Sequence, residues 1–230
     1  MMSEHFPVSA PMSPAAEKLV PVEPGAVIGA AAGVVLRYAR DDDGAAIVAL
    51  VSAVWSEYPG KVLDAANDMP ELLNPATAYA EADGRFWLVE AGGQIIGTVA
   101  LAPSAEDGIV ELQKMYVAQP VRHNGLGTFL CGLVDREARR RGARAVELWS
   151  DVKLNDAHRH YRRLGYVRGT EMRVVDDLSR TVQYYYRKEL AYYRKELAAA
   201  EDAALGAASW RSLALSLAAH GAMPAEGAGA

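Results

Sequence analysis

Between residues 109 and 151 the hydrophobic pattern changes period twice, and this change limits the possible folds more than any other feature of the chain. In "IVELQKMYV", Val110, Leu112, Lys114 and Tyr116 alternate with Glu111, Gln113, Met115 and Val117, the two-residue period of a strand that Pro120 ends. From residue 126 to 141 the apolar side chains Leu126, Phe129, Leu130, Leu133 and Val134 recur at helical spacing, and Gly142 follows as a stop signal. "ARAVELWSD" then returns to a strand. Strand, helix and strand in that order form a crossover. It brings strand ends and a helix N-terminus together at one edge, where open sheets bind ligands.

The loop of that crossover reads "VRHNGLGTFL". The first four N–H groups of a helix have no partner inside it, and the helix dipole adds partial positive charge there. Glycine at 125 and 127 lets the main chain approach a bulky anion with no Cβ in the way, so the segment is a ready phosphate cradle. A nucleoside-triphosphate loop would need Gly-Lys-Ser/Thr, which is absent. A dinucleotide fingerprint would need a third glycine where Leu130 stands. What remains is Arg-x-x-Gly-x-Gly, from Arg122, Gly125 and Gly127.

The flanking sequence supplies the rest of an α/β pattern. "GVVLRYA" reads as a strand, and Asp41 to Asp43 offer capping oxygens to a helix carrying Ile47, Leu50, Val51, Val54 and Trp55. Residues 61–84 are irregular and helix-like, broken by Pro70 and Pro75. "RFWLVEAGGQIIGTVALAP" is a hairpin about Gly92 and Gly93. "NDAHRHYRRLG" is a helix, and "YVRGTEMRVV" and "TVQYYYRKEL" are closing strands. The order β-α-α-β-β-β-α-β-α-β-β predicts a mixed, mostly antiparallel sheet of six to seven strands flanked by about four helices. Residues 1–33, dense in Pro, Ala and Ser, read as a disordered leader, and residues 34–190 as the domain. Residues 191–230 read as an Ala-rich, helical or frayed tail. "YYRKELA" occurs twice in tandem, at 185–191 and 192–198, too few copies for a repeat fold.

Composition narrows the function. A formal charge of −5 argues against nucleic acid as a partner. The basic run "REARRRGAR" is the solvated end of a helix. The single cysteine, Cys131, excludes an intramolecular disulfide and lies in an apolar pattern suited to a core. His158 and His160 stand roughly 200° apart around a helix, which disfavours a shared metal, so no metal site is expected. No basic stretch followed by an apolar core opens the sequence, and the apolar run at 26–36 is too short to span a bilayer. The chain therefore reads as cytoplasmic, with no membrane partner.

In order along the chain, the hairpin, "ELQKMYV", "RHNGLG" and "DAHRHYRRLGY" together resemble the GNAT-type N-acetyltransferases, whose signature is Arg/Gln-x-x-Gly-x-Gly/Ala. The resemblance covers roughly residues 34–190. It implies acetyl-CoA as acyl donor, a primary amine as acceptor, and a homodimer as the usual assembly. The main chain of Arg122, His123, Asn124, Gly125, Leu126, Gly127 and Thr128 would hold the pyrophosphate, with the ring of His123 near it. Met115, Tyr116 and Val117 would pair with the pantetheine arm as an added strand does.

Tyr161 matches the family's tyrosine beside the sulfur, as proton donor or hydrogen-bond partner. Glu111 is the candidate base for the acceptor ammonium, with a solvated or cross-strand-paired glutamate as the plain alternative. Leu154 stands seven residues before the tyrosine, where many relatives carry asparagine, and Asn155 is one step away. Trp55, Tyr58, Asp64, Asn67 and Asp68 fall where the family shapes its acceptor pocket. Facing that pocket, Asp64 and Asp68 would favour a cationic amine. A non-catalytic acyl-CoA-binding regulatory module would share the cradle, and an interaction protein would instead use the duplicated heptad and tail.

Overall fold

The computed structural model describes residues 22–190 and 209–219. Eight strands form one sheet: β1 (Val27–Ala31), β2 (Val34–Tyr38), β3 (Arg85–Ala91), β4 (Gln94–Pro103), β5 (Ile109–Val117), β6 (Ala145–Asp151), β7 (Val167–Val174) and β8 (Val182–Glu189). Their order is β1-β2-β3-β4-β5-β6-β8-β7. β5 and β6 run parallel, and every other neighbouring pair is antiparallel. The helices are α1 (Gly44–Ser56), α2 (Ala65–Asp68), α3 (Pro75–Glu81), α4 (Leu126–Arg140) and α5 (Asn155–Arg163), with α6 at residues 209–219.

The mixed, mostly antiparallel sheet is as expected, but it has eight strands where six to seven were predicted. The extra strand is β1, inside the stretch read as a disordered leader. Its main chain pairs with β2, and Gly29 admits the Trp210 indole so closely that a Cβ there would fall 2.6 Å from the ring. Pairing and ring contact order a segment whose composition carries no apolar period. The rest of the expected leader and tail, residues 1–21, 191–208 and 220–230, lies outside the described residues, as does the second YYRKELA copy. The first copy contributes to β8.

Both faces of the sheet are covered over its first half. Ile47, Val51 and Trp55 of α1, Leu72, and Tyr79 of α3 pack on Phe86, Leu88, Ala100 and Ala102. On the opposite face Leu126, Leu130, Leu133 and Val134 of α4 pack on Val89, Val99, Leu101, Val110 and Leu112. α6 joins this second core through buried Trp210, Leu213, Ala214 and Leu217, and Trp210 meets Phe129 with ring centroids 5.4 Å apart. The hairpin between β3 and β4 turns on Gly92 (φ 55°) and Gly93 (φ 75°), the left-handed pair that a two-residue turn requires. Among the described residues, no helix is long and apolar enough to cross a membrane.

Of the expected capping acids, Asp43 closes a capping box on the short turn 41–43 that leads into α1, though none bonds the first turn of α1 itself. Asp43, almost fully buried, accepts two 2.7 Å hydrogen bonds from the Arg37 guanidinium and one from the Arg40 main-chain N–H. Asp41 instead accepts from the main chain and hydroxyl of Thr77 in α3. Burial pushes the Asp43 carboxyl upward, but the Arg37 and Arg40 bonds outweigh it and hold the group below its ordinary value. Its stabilising contribution is therefore complete above the unfolded-state value of 3.8 and disappears as pH falls through the folded-state value. Removing the guanidinium strands a buried carboxylate. Arg37→Met is expected to lose about 3–5 kcal/mol of unfolding free energy near neutral pH, measured by urea denaturation.

Candidate active site

The site begins where β5 and β6 part. Their parallel ladder runs from Ile109↔Ala145 to Glu111↔Glu147 and ends there. Beyond it, β5 carries a bulge: Thr98 faces Tyr116 and Ala100 faces Gln113, so Lys114 and Met115 together oppose Val99. Lys114 takes the left-handed conformation (φ 49°), and its carbonyl is fixed by the buried Thr98 hydroxyl at 2.7 Å. The bulge turns the end of β5 away from β6. A cavity of about 220 Å³ opens between them, and its wall includes Glu111, Met115, Tyr116, Trp149, Tyr161 and Arg173.

At one end of the splay stands the N-terminus of α4. Gly125, at φ 87°, is its N-cap, and the first α-helical bond runs from Phe129 N to Gly125 O at 3.0 Å. The amides of Leu126, Gly127 and Thr128 precede that bond and have no helical acceptor. A Cβ on Gly127 would lie 3.1 Å from Met115 Cε and 3.3 Å from His160 Nε2. The glycine thus keeps the helix end close to both β5 and α5. His160 is pushed below its ordinary value by burial, so a neutral ring flanks the cradle near pH 7.

The loop before the helix departs from the expectation in two places. The Arg122 amide already donates to Gln119 O at 3.3 Å, so it does not belong to the open set. The Arg122 guanidinium grips Glu57 at the end of α1 through two 2.6 Å bonds and donates to Val117 O at 3.0 Å. Arg122 thus ties the cradle to α1 and β5, and the Val117 carbonyl is already engaged by it. His123 is exposed with φ 66°, and Asn124 Nδ2 donates to Arg122 O at 3.3 Å, bracing the turn.

Glu111 and Tyr161 come together on the cavity wall, as do Met115 and Tyr116. Burial raises the Glu111 carboxyl above the usual carboxylate value, opposed by a hydrogen bond from Gln113 and by the charge of Arg173. Gln113 is itself held by the Tyr79 hydroxyl, which donates to its Oε1 at 2.9 Å. Glu147, which faces Glu111 across the parallel ladder, accepts from Ser104 and Tyr185. Burial pushes the Tyr161 phenol well above its ordinary value, and that of Tyr116 up to about 12.

Cys131 lies 4.0 Å from His160 Nε2, but burial drives its thiol up to about 12, so it is a core residue. Trp55, Tyr58 and Leu154 line the cavity. Asp64, Asn67 and Asp68 do not; they bond one another within their own turn. Asn155 is exposed and also outside the wall.

Two features escaped sequence reasoning. Lys61, with its side chain 3% exposed, pairs with Asp151 at 2.7 Å, bonds the Thr181 hydroxyl and sits 4.2 Å over the Trp55 ring. Arg173 reaches the cavity from β7, its guanidinium 4.5 Å over the Trp149 ring. Alternation along "VELWSD" placed Glu147, Trp149 and Asp151 on one face, and that was the only available signal.

Comparison with known proteins fits this geometry. The model of the Acetyltransferase (GNAT) family matches residues 47–166, from α1 through the cradle to Tyr166. The chain belongs to the GNAT acetyltransferase family. It is 30% identical over 136 residues to the uncharacterised N-acetyltransferase YjgM of Escherichia coli, covering 57% of this chain and 81% of that protein. It is 28% identical over 135 residues to the aminoalkylphosphonate N-acetyltransferase of Salmonella typhimurium, covering 57% and 83%. The fold matches a GNAT acetyltransferase of Staphylococcus aureus with a TM-score of 0.59 at 18% identity, over 68% of this chain and 99% of that one. It also matches yncA of Salmonella typhimurium, solved with its cofactor acetyl-CoA, with a TM-score of 0.55 at 20% identity, over 70% and 96%.

The protein is thus an acyltransferase of a family that uses acetyl-CoA. Its open first-turn amides fit a diphosphate, and Gly127 lets the helix end pack closely on Met115 and His160. Gly127→Glu, which adds bulk and negative charge there, is expected to abolish acetyl-CoA binding in calorimetry while leaving the circular dichroism spectrum unchanged.

Proposed function

We propose that the protein moves an acetyl group from acetyl-CoA to a primary amine by direct attack within a ternary complex. The observation that carries this reading is the meeting of Glu111 from β5 and Tyr161 from α5 on one cavity wall, beside the α4 cradle. Acetyl-CoA, when bound, supplies the acyl thioester. The amides of Leu126, Gly127 and Thr128 hold its diphosphate, and the β5 main chain at Met115 and Tyr116 holds the pantetheine arm where the β6 ladder has ended.

An ammonium has no lone pair, so the acceptor must lose a proton before it attacks. The Glu111 carboxylate takes that proton, directly or through a water. Burial strengthens it as a base, and the Tyr79–Gln113 pair orients it. Tyr161, kept protonated by burial, holds its proton on Oη for the departing sulfur. The buried, protonated Cys131 offers no covalent alternative, which supports the one-step route.

Tyr161→Phe is expected to lower kcat by about 10²-fold with little change in the KM for acetyl-CoA. Unchanged turnover would remove the proton-donor role. Glu111 is inactive when protonated, and its carboxyl titrates above the ordinary 4.5, so kcat/KM should fall on the acid side from a pH above that value. In Glu111→Gln the pH–rate profile should lose this acid limb and the plateau should drop by about 10²-fold.

A further inference from the structure

The cavity wall carries three basic side chains, Lys61, Lys114 and Arg173, and three acidic ones, Glu71, Glu111 and Asp151. Two pairs cancel inside the protein, Lys61 with Asp151 at 2.7 Å and Lys114 with Glu71 at 2.6 Å. Neither Arg173 nor Glu111 forms an ion pair among the described residues. The cavity therefore presents one cation and one carboxylate, each within range of the other's charge, with Glu147 acting on Arg173 as well.

Arg173 is built as a holder of anions. Its Nε donates to Gln183 Oε1 at 2.6 Å, and its Cζ stands 4.5 Å from the centroid of the Trp149 ring. The bond and the ring contact hold the group against β8 and β6. Its two terminal nitrogens form the outer edge of the fork, the edge that grips an oxyanion in two-point fashion. The acids that would have drawn a polycation, Asp64 and Asp68, are off the wall, and a second positive charge on the acceptor would meet Arg173.

We propose that the acceptor is an acidic amine of the amino-acid class, whose oxyanion seats on the Arg173 fork while its amine end is directed at Glu111. This deepens the acetyl-transfer reading and rests on it. The arrangement makes Arg173 a specificity residue. Its charge selects the acceptor and fixes which end faces the base, while the cofactor is held elsewhere, at α4 and β5.

The test compares ω-amino carboxylates of increasing chain length and ω-aminoalkylphosphonates with alkylamines and diamines of matched length, following thiol release from acetyl-CoA. Rates are taken on the alkaline plateau, because Arg173 also depresses the Glu111 carboxyl. The wild type should favour the acidic amines by at least about tenfold in kcat/KM, the effect of one charge-assisted contact. Arg173→Gln should bring the acidic-amine to alkylamine ratio of kcat/KM to about one while leaving the KM for acetyl-CoA within about twofold, and Arg173→Lys should restore part of the preference. Whichever oxyanion responds more strongly identifies the acid.

Equal wild-type rates for acidic amines and alkylamines would overturn the proposal, as would equal losses for both in Arg173→Gln. Calorimetry of the same acids with the CoA-loaded protein separates the two readings. Arg173-dependent binding without thiol release from any amine would sink acetyl transfer and retain the acid subsite. Thiol release with alkylamines alone would do the reverse.

Discussion

Parallel pairing between β5 and β6 lasts for three residues and then stops, and the rest of the site depends on that brevity. A parallel neighbour running the full length of β5 would consume its edge and close the space between the strands. The bulge at Lys114 and Met115 prevents this by swinging the end of β5 aside, and the hydroxyl of Thr98 secures the bulge from the far strand. The same swing brings the end of β5 next to the first turn of α4. One local irregularity therefore supplies an unpaired strand edge, a cavity and a helix terminus in a single place.

Charged pairs brace the walls of that opening. Arg122 and Glu57 tie the glycine loop to α1, and Lys61 and Asp151 tie the segment after α1 to the end of β6. Buried ion pairs add little net stability, because desolvation offsets most of their attraction. Their effect here is geometric: they hold three separately encoded segments at fixed spacing around a cleft that hydrophobic packing alone would tend to collapse. On the cavity wall Lys61–Asp151 and Lys114–Glu71 cancel each other's charges, which leaves Glu111 and Arg173.

Much of this was legible in the sequence, for reasons that differ by element. β5 and α4 were visible because one face of each is buried, which imposes a clean period on "IVELQKMYV" and on the helix after it. The Gly92–Gly93 turn was visible because left-handed backbone needs glycine. β1 was not, since an edge strand held by main-chain pairing and a single tryptophan contact requires no pattern of its own. The bulge was equally silent, because Lys114 adopts its positive φ without a glycine to mark it. Among the candidate site residues, Tyr161 could be named from the family resemblance and Glu111 from its place on the strand before the glycine loop. Arg173, Lys61 and Gln113 could not, because their roles arise from contacts between distant segments.

The C-terminal helix extends the consequences of the fold beyond the family's own limits. The family model ends at residue 166, yet residues 209–219 place Trp210 against Gly29 and Phe129 and bring Leu213 Cδ1 to 3.8 Å from where a Cβ on Gly125 would stand. The wall behind the glycine turn is therefore supplied by a stretch that a homology-based boundary would discard. Any expression fragment trimmed to residues 47–166 would lose Trp210 and Leu213 and lay bare the apolar surface around Phe129 that they cover.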